Sequence, residues 1–178
     1  PYTTLGRSSD YNNTIFIITG DHRMPEIPMS TKIDRYHVPL IIYSPLLKRT
    51  ASFASVSTHF DITPSLLSFL HDNYNFQKPT LATWMGSGLD TNRAFENTHM
   101  YPLMQTKNDV VDFIMDNYHL NGDDVFSISG DMDEEPIQDN DKRKQLLGEF
   151  TQFKNRNEKF IKGSPLLPDS IYSKYFPH

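Results

Sequence analysis

The sequence predicts an α/β fold that carries a small antiparallel hairpin-and-helix subdomain at its C-terminal end. Three observations carry that prediction. Residues 14–19 and 38–43 are continuous β-branched and aromatic runs, the pattern of strands covered on both faces. Residues 61–70 are amphipathic at helical spacing. Asn121-Gly122 then lies between two further apolar runs, the strongest short-range hairpin signal.

The first strand, Thr14-Ile15-Phe16-Ile17-Ile18-Thr19, runs directly into Gly20-Asp21-His22. Residues 23–37 are polar and broken by Pro25 and Pro28, which reads as a loop. In the second strand, Val38-Pro39-Leu40-Ile41-Ile42-Tyr43, Pro39 belongs at the start, because proline cannot donate within a central ladder. Residues 52–58 read as a short strand. In the helix that follows, Asp61 or Thr63 can cap, Pro64 suits the first turn, and Ile62, Leu66, Leu67 and Leu70 share a face. Residues 71–106 read as irregular. Their notable stretch is Trp84-Met85-Gly86-Ser87-Gly88-Leu89-Asp90, whose two glycines permit a tight turn. Residues 110–118 and 123–129 read as hairpin strands flanking His119-Leu120-Asn121-Gly122, and residues 131–140 as an acidic turn. Residues 142–161 read as a helix whose apolar positions Leu146, Leu147, Phe150, Phe153 and Phe160 are expected in the core. The proline-rich tail from Gly163 is expected on the surface.

A chain of 178 residues suffices for one domain with a real core, or one domain and a small appendage. Hydrophobic residues at 37% and aromatics at 12% suit a folded globular protein and argue against disorder. The net charge of -5 gives no electrostatic reason to expect nucleic acid or an anionic membrane as partner. The absence of cysteine excludes disulfides and thiolate–zinc sites. No segment approaches the ~18 apolar residues that span a bilayer. Pro1-Tyr2-Thr3-Thr4-Leu5-Gly6 has no signal-peptide pattern and no initiator methionine, so the chain is expected to be cut from a longer one.

Asp21 and His22 stand directly past a buried-type strand, and ligands of open α/β sheets gather at the carboxyl ends of strands. Carboxylate oxygen with imidazole nitrogen suits Zn²⁺ or Mn²⁺. Neighbouring side chains on a straight strand diverge, so both reach one ion only if the chain bends, which Gly20 makes cheap. Gly-Asp-His is a short motif, and from spacing alone a strand-end turn with a capping Asp and a bystander His is the favoured reading.

Three blocks together are more specific. Ile17-Ile18-Thr19-Gly20-Asp21-His22, then Val38-Pro39-Leu40-Ile41-Ile42-Tyr43-Ser44-Pro45, then Asp61-Ile62-Thr63-Pro64-Ser65-Leu66-Leu67 resemble consecutive blocks of the sulfatase family, within the alkaline phosphatase superfamily. The similarity is strongest to its lipoteichoic acid synthase-like, membrane-anchored branch. The resemblance covers roughly residues 14–70. It implies that residues 1–106 are the C-terminal part of a sulfatase-like catalytic α/β domain. Residues 107–178 resemble the family's small C-terminal subdomain more loosely. It also implies that Asp21 and His22 are metal ligands. The family often has Gly after Asp-His, where this chain has Arg23; its guanidinium can clamp an anionic ester oxygen or be a solvated loop charge. His37 and His59 are further substrate-contact candidates, His59 also a third-ligand candidate, and Lys32 a candidate substrate-contacting cation. Asp61 is expected to cap its helix. His71, His99, His119 and His178 have no supporting context and are expected on the surface.

The activity implied is nucleophilic displacement at phosphorus or sulfur by a metal-dependent hydrolase, or by a phosphoglycerol- or phosphoethanolamine-type transferase. The substrate the resemblance implies is a phosphate or sulfate ester, on a lipid headgroup or glycan. The nucleophile is expected upstream, since no sulfatase Cys signature exists here. His beside Asp favours Mn or Zn over Ca²⁺, which prefers all-oxygen ligation. The parent is expected to be membrane-anchored and this part extracytoplasmic, periplasmic or at the cell surface. With two ligands and no nucleophile, the chain alone is expected to hold metal weakly and to turn nothing over. The alternative is a non-enzymatic C-terminal module that binds a glycan or a protein.

Overall fold

The computed structural model describes residues 6–82, 84–106 and 109–176. The expectation for His178 lies outside them. The architecture is mixed α/β, consistent with a fragment of an α/β domain.

Strands β1 (Phe16–Thr19) and β2 (Leu40–Tyr43) pair antiparallel, with Phe16 opposite Tyr43 and Thr19 opposite Leu40. Pro39 precedes β2 directly, where its missing N–H costs the ladder nothing. The expected cover on both faces is not found. Ile18 is 56% exposed and Ile41 52%, because among the described residues no third strand or helix layer closes over this pair. Residues 52–58 are not a strand either. Side chains accept from two of their backbone groups instead: Val56 N–H donates to Asn97 Oδ1 at 2.7 Å and Thr58 N–H to Asp61 Oδ2 at 2.8 Å.

Helix α1 (Ile62–Tyr74) forms as expected, with Ile62, Leu66, Leu67 and Leu70 half-buried. It stops at Asn75, left-handed at φ 55°, whose N–H returns to the His71 carbonyl at 3.1 Å.

The rest is an antiparallel meander in chain order: β3 (Met100–Thr106), β4 (Asp109–Met115), β5 (Tyr118–Asn121), β6 (Asp124–Ile128) and β7 (Glu134–Ile137). β3 falls in the stretch read as irregular, and β7 in the stretch read as an acidic turn. The hairpin signal is real but shifted by a residue. Asn121 pairs with Asp124, so Gly122-Asp123 is the loop, with Gly122 at φ 61°. His119 is thereby a strand residue, not a turn residue.

Period-two alternation gives the sheet two buried faces. Phe113, Met115, Leu120 and Val125 pack on Leu146 and Phe150 of α2 (Asn140–Ile161). Phe113 stacks on Phe150 with ring centroids 5.2 Å apart. On the opposite face Tyr101, Ile114 and Ile128 pack on Ile33 and Val56 from the N-terminal part. That second contact seats the loop after His22 on the sheet. In the tail, α3 (Asp169–Tyr175) is short and exposed.

A candidate metal centre at the end of β1

Asp21 and His22 follow β1 at once, and their side chains converge. His22 Nε2 lies 3.7 Å from Asp21 Oδ1, with side chains 73% and 90% exposed. Two donors about 2.0–2.2 Å from one tetrahedral ion stand about 3.3–3.6 Å apart, so a small side-chain adjustment lets both meet the same ion. The tautomer suits this. His22 Nδ1 lies 2.8 Å from the Arg23 carbonyl, which can only accept, so Nδ1 carries a proton and Nε2, on the Asp21 side, is the nitrogen whose lone pair a neutral ring offers to an ion. Asp21 Oδ1 also accepts the His22 N–H at 3.0 Å, which fixes the carboxylate.

Gly20 serves the bend by its size. It is outside the left-handed region, but a methyl group there would lie 3.3 Å from both the His22 carbonyl oxygen and Val38 Cγ1. His59 braces the same bend from the start of α1: its Nε2–H is shared between the Gly20 carbonyl at 2.9 Å and Thr19 Oγ1 at 3.1 Å. In this arrangement that nitrogen has no lone pair to offer an ion. Arg23 turns into its own loop, with Nη1 donating to the carbonyls of Met24 (2.9 Å) and Ile27 (2.7 Å). His37 is exposed just after the 3-10 turn Ile33–Arg35, its backbone N–H on the Asp34 carbonyl. Lys32 Nζ donates to Asn121 Oδ1 at 2.7 Å and lies over the Phe126 ring. Among the described residues no group of three His, Cys, Asp or Glu side chains converges as a metal site, so the donor set here is a pair.

No family model and no solved structure matches the sequence. Over 65 residues, 36% of this chain, it is 38% identical to a phosphopentomutase of Dictyoglomus turgidum (strain DSM 6724 / Z-1310). The aligned part is 16% of that protein, so the chain spans a small share of the curated relative it matches.

Two further arrangements carry no local signal in the sequence. Asp61, fully buried, stands at the N-cap position of α1, but against expectation its side chain makes no cap hydrogen bond to that helix; it serves the 3-10 turn His59–Asp61 before it and a distant stretch instead. Oδ2 accepts Thr58 N–H at 2.8 Å and Thr58 Oγ1–H at 3.0 Å, while Oδ1 accepts the N–H groups of Ser87 (3.0 Å) and Gly88 (3.3 Å). The glycine-marked stretch 84–90 therefore docks on the start of α1. Gly86 makes the docking sterically feasible, because a methyl group there would run into the Phe60 carbonyl and lie 2.8 Å from Asp61 N. Gly86→Ala is therefore expected to cost about 1–3 kcal/mol, the range for forced overpacking. A urea midpoint unchanged from wild type would contradict this backbone contact.

The other arrangement is a buried charge network on β4, β5 and β7, the opposite of the surface position expected for His119. The His119 ring is fully buried between two carboxylates: Nε2 faces Asp112 Oδ1 at 2.9 Å, and Nδ1 makes a short contact with Glu134 Oε1. Burial alone would lower the imidazole pKa, but hydrogen bonds and charge from Asp112 and Glu134 win and raise it above 6.5. Burial likewise opposes ionised Asp112, yet donors from His119, Tyr36 and Asn121 hold it below its usual value. Tyr36, desolvated and donating to Asp112, is pushed up. Of the other two, His71 is exposed with Nδ1 on the Phe76 carbonyl, and His99 is half-buried against the Tyr101 ring.

Proposed function

We propose that Asp21 and His22 are two metal-holding side chains of an enzyme that handles phosphate or sulfate esters in the alkaline phosphatase superfamily. The observation that carries this is the convergence of a carboxylate oxygen and a free imidazole nitrogen, 3.7 Å apart, in solvent at the end of β1. The similarity to a phosphopentomutase, itself of that superfamily, supports the superfamily, phosphoester handling and a divalent metal in general. The finer reading, a sulfatase-like hydrolase or a lipoteichoic acid synthase-like transferase, rests on the three sequence blocks. So does an extracytoplasmic place in a membrane-anchored parent. Among the described residues no helix is long and apolar enough to cross a membrane.

A bound divalent cation supplies charge stabilisation at the group being transferred. The imidazole donor argues for Mn or Zn over Ca²⁺. This chain's own residues do the holding. Arg23 C=O fixes the His22 tautomer, the His22 N–H fixes Asp21, and His59 with Gly20 fixes the bend between them. The nucleophile and the remaining ligands lie outside this chain in this reading.

Titration calorimetry with Mn²⁺ and Zn²⁺ tests the reading. Weak binding is expected, weakened about tenfold or more by His22→Ala, with no turnover of aryl phosphate or aryl sulfate esters. Tight stoichiometric binding abolished by His22→Ala would mean a more complete site than two ligands. Binding indifferent to His22→Ala would remove the metal role.

A further inference from the structure

The buried network around His119 joins two parts of the molecule far apart in sequence. Its carboxylates spend their second oxygens on the loop between His22 and β2. Glu134 Oε2 accepts the backbone N–H groups of Lys32 (2.7 Å) and Ile33 (3.1 Å), the start of the 3-10 turn. Asp112 Oδ2 accepts the Tyr36 hydroxyl, at that turn's end. Both ends of Ile33–Arg35 are thus held by the two carboxylates that flank one imidazole, and Ile33 itself is buried on the sheet. Asp34 Oδ2, accepting Ser30 N–H at 2.7 Å and Thr31 N–H at 2.9 Å, extends the fixed region back along the loop.

The network is closed to water, with His119, Asp112 and Glu134 side chains 0%, 4% and 2% exposed. A carboxylate only accepts, so a ring with a carboxylate at each nitrogen satisfies both only by donating from both. Without that second proton, one of the two buried carboxylates would face a lone pair. We infer that a doubly protonated His119, held between Asp112 and Glu134, is the latch that fixes the loop after His22 onto the five-stranded sheet, so that the loop's order depends on that proton.

The surroundings are compatible with a cation. From β4 comes Asp112, from β5 Asn121 donating to it, from β7 Glu134, and from the loop Tyr36. Phe126 of β6 lays its ring 6.0 Å from the imidazole. Lys32 Nζ sits 4.9 Å from that ring's centroid and is balanced by Asp124 at 3.5 Å. Arg35 acts on Tyr36 from the same turn. The raised pKa of His119 agrees with this geometry. The role is positioning: His119 acts on the loop through the two carboxylates, and the latch stands whether or not Asp21 and His22 take a metal.

Imidazole ¹⁵N shifts of the ¹⁵N-labelled wild-type chain test it first. Both His119 ring nitrogens are expected to be protonated at pH 7, with the proton lost above the value of free histidine, about 6.5. A bare ring nitrogen at pH 7 would overturn the latch. Amide exchange, corrected for intrinsic rates, tests its consequence. Protection of Lys32 and Ile33 is expected to fall about tenfold as pH rises through the His119 titration, and likewise in Glu134→Gln at pH 7. Amides of α2 should stay protected in both cases. Unchanged protection of Lys32 and Ile33 across the wild-type titration would equally overturn it, and that reading stands even if Glu134→Gln does not fold.

Discussion

Asp61→Ala is expected to lower the unfolding free energy by about 3–5 kcal/mol, the scale on which several buried donors lose their acceptor at once. The carboxylate is fully buried and collects four donors: two from Thr58 and one each from Ser87 and Gly88. Alanine leaves those donors without an acceptor, and each orphaned buried group costs about 1–3 kcal/mol. It also unseats residues 84–90 from the start of α1, which His59 ties to the Gly20 bend. Asp61→Asn should fall between, since an amide keeps one acceptor oxygen but turns two N–H donors toward the same groups. Urea denaturation followed by circular dichroism reads the difference. A loss under about 1 kcal/mol would mean that water satisfies these donors as well as Asp61 does.

His119→Ala is expected to cost a similar amount, about 3–5 kcal/mol at neutral pH, because it leaves Asp112 and Glu134 buried without the cation between them. The pH dependence carries a definite sign. His119 has its folded pKa raised above 6.5, so its contribution is full below about pH 6.5 and is lost as pH rises through the folded value. Asp112 has its folded pKa lowered from 3.8, so its contribution is present above about pH 3.8 and is lost as pH falls through the folded value. Wild-type stability should therefore decline on the alkaline side where His119→Ala shows no such decline. Parallel stability curves for the two proteins would contradict the charged state of His119.

The elements that read clearly from sequence are those whose signal is local. The β-branched runs of β1 and β2, the one-sided apolar face of α1, and the Phe150 and Leu146 positions of α2 each carry their periodicity within one segment. β3 and β7 were hidden because both lie at sheet edges, where burial is one-sided and proline is tolerated. Pro102 and Pro136 sit inside them and read as breakers. The apolar runs of β1 and β2 implied more cover than the described residues supply.

The candidate site divides the same way. Asp21 and His22 are sequence neighbours after a strand, so their meeting is a local question of one bend. The roles of His59, Asp61 and His119 are set by residues up to 40 positions distant, such as Thr19 for His59. His119 stood beside Asn121-Gly122 and took on the look of a turn. Its strand placement follows from the hairpin loop being Gly122-Asp123, which leaves His119 paired with Phe126 inside the ladder. The two carboxylates at its nitrogens come from different strands, a pairing with no local signal.

Paramagnetic broadening of amide resonances by substoichiometric Mn²⁺ tests the shared-ion account most directly, since it locates the ion and does not require tight binding. The account predicts broadening centred on Asp21 and His22, reaching Gly20 and Arg23, and abolished by His22→Ala. Broadening that spreads instead over the acidic residues between β6 and α2, or that survives His22→Ala unchanged, would contradict it.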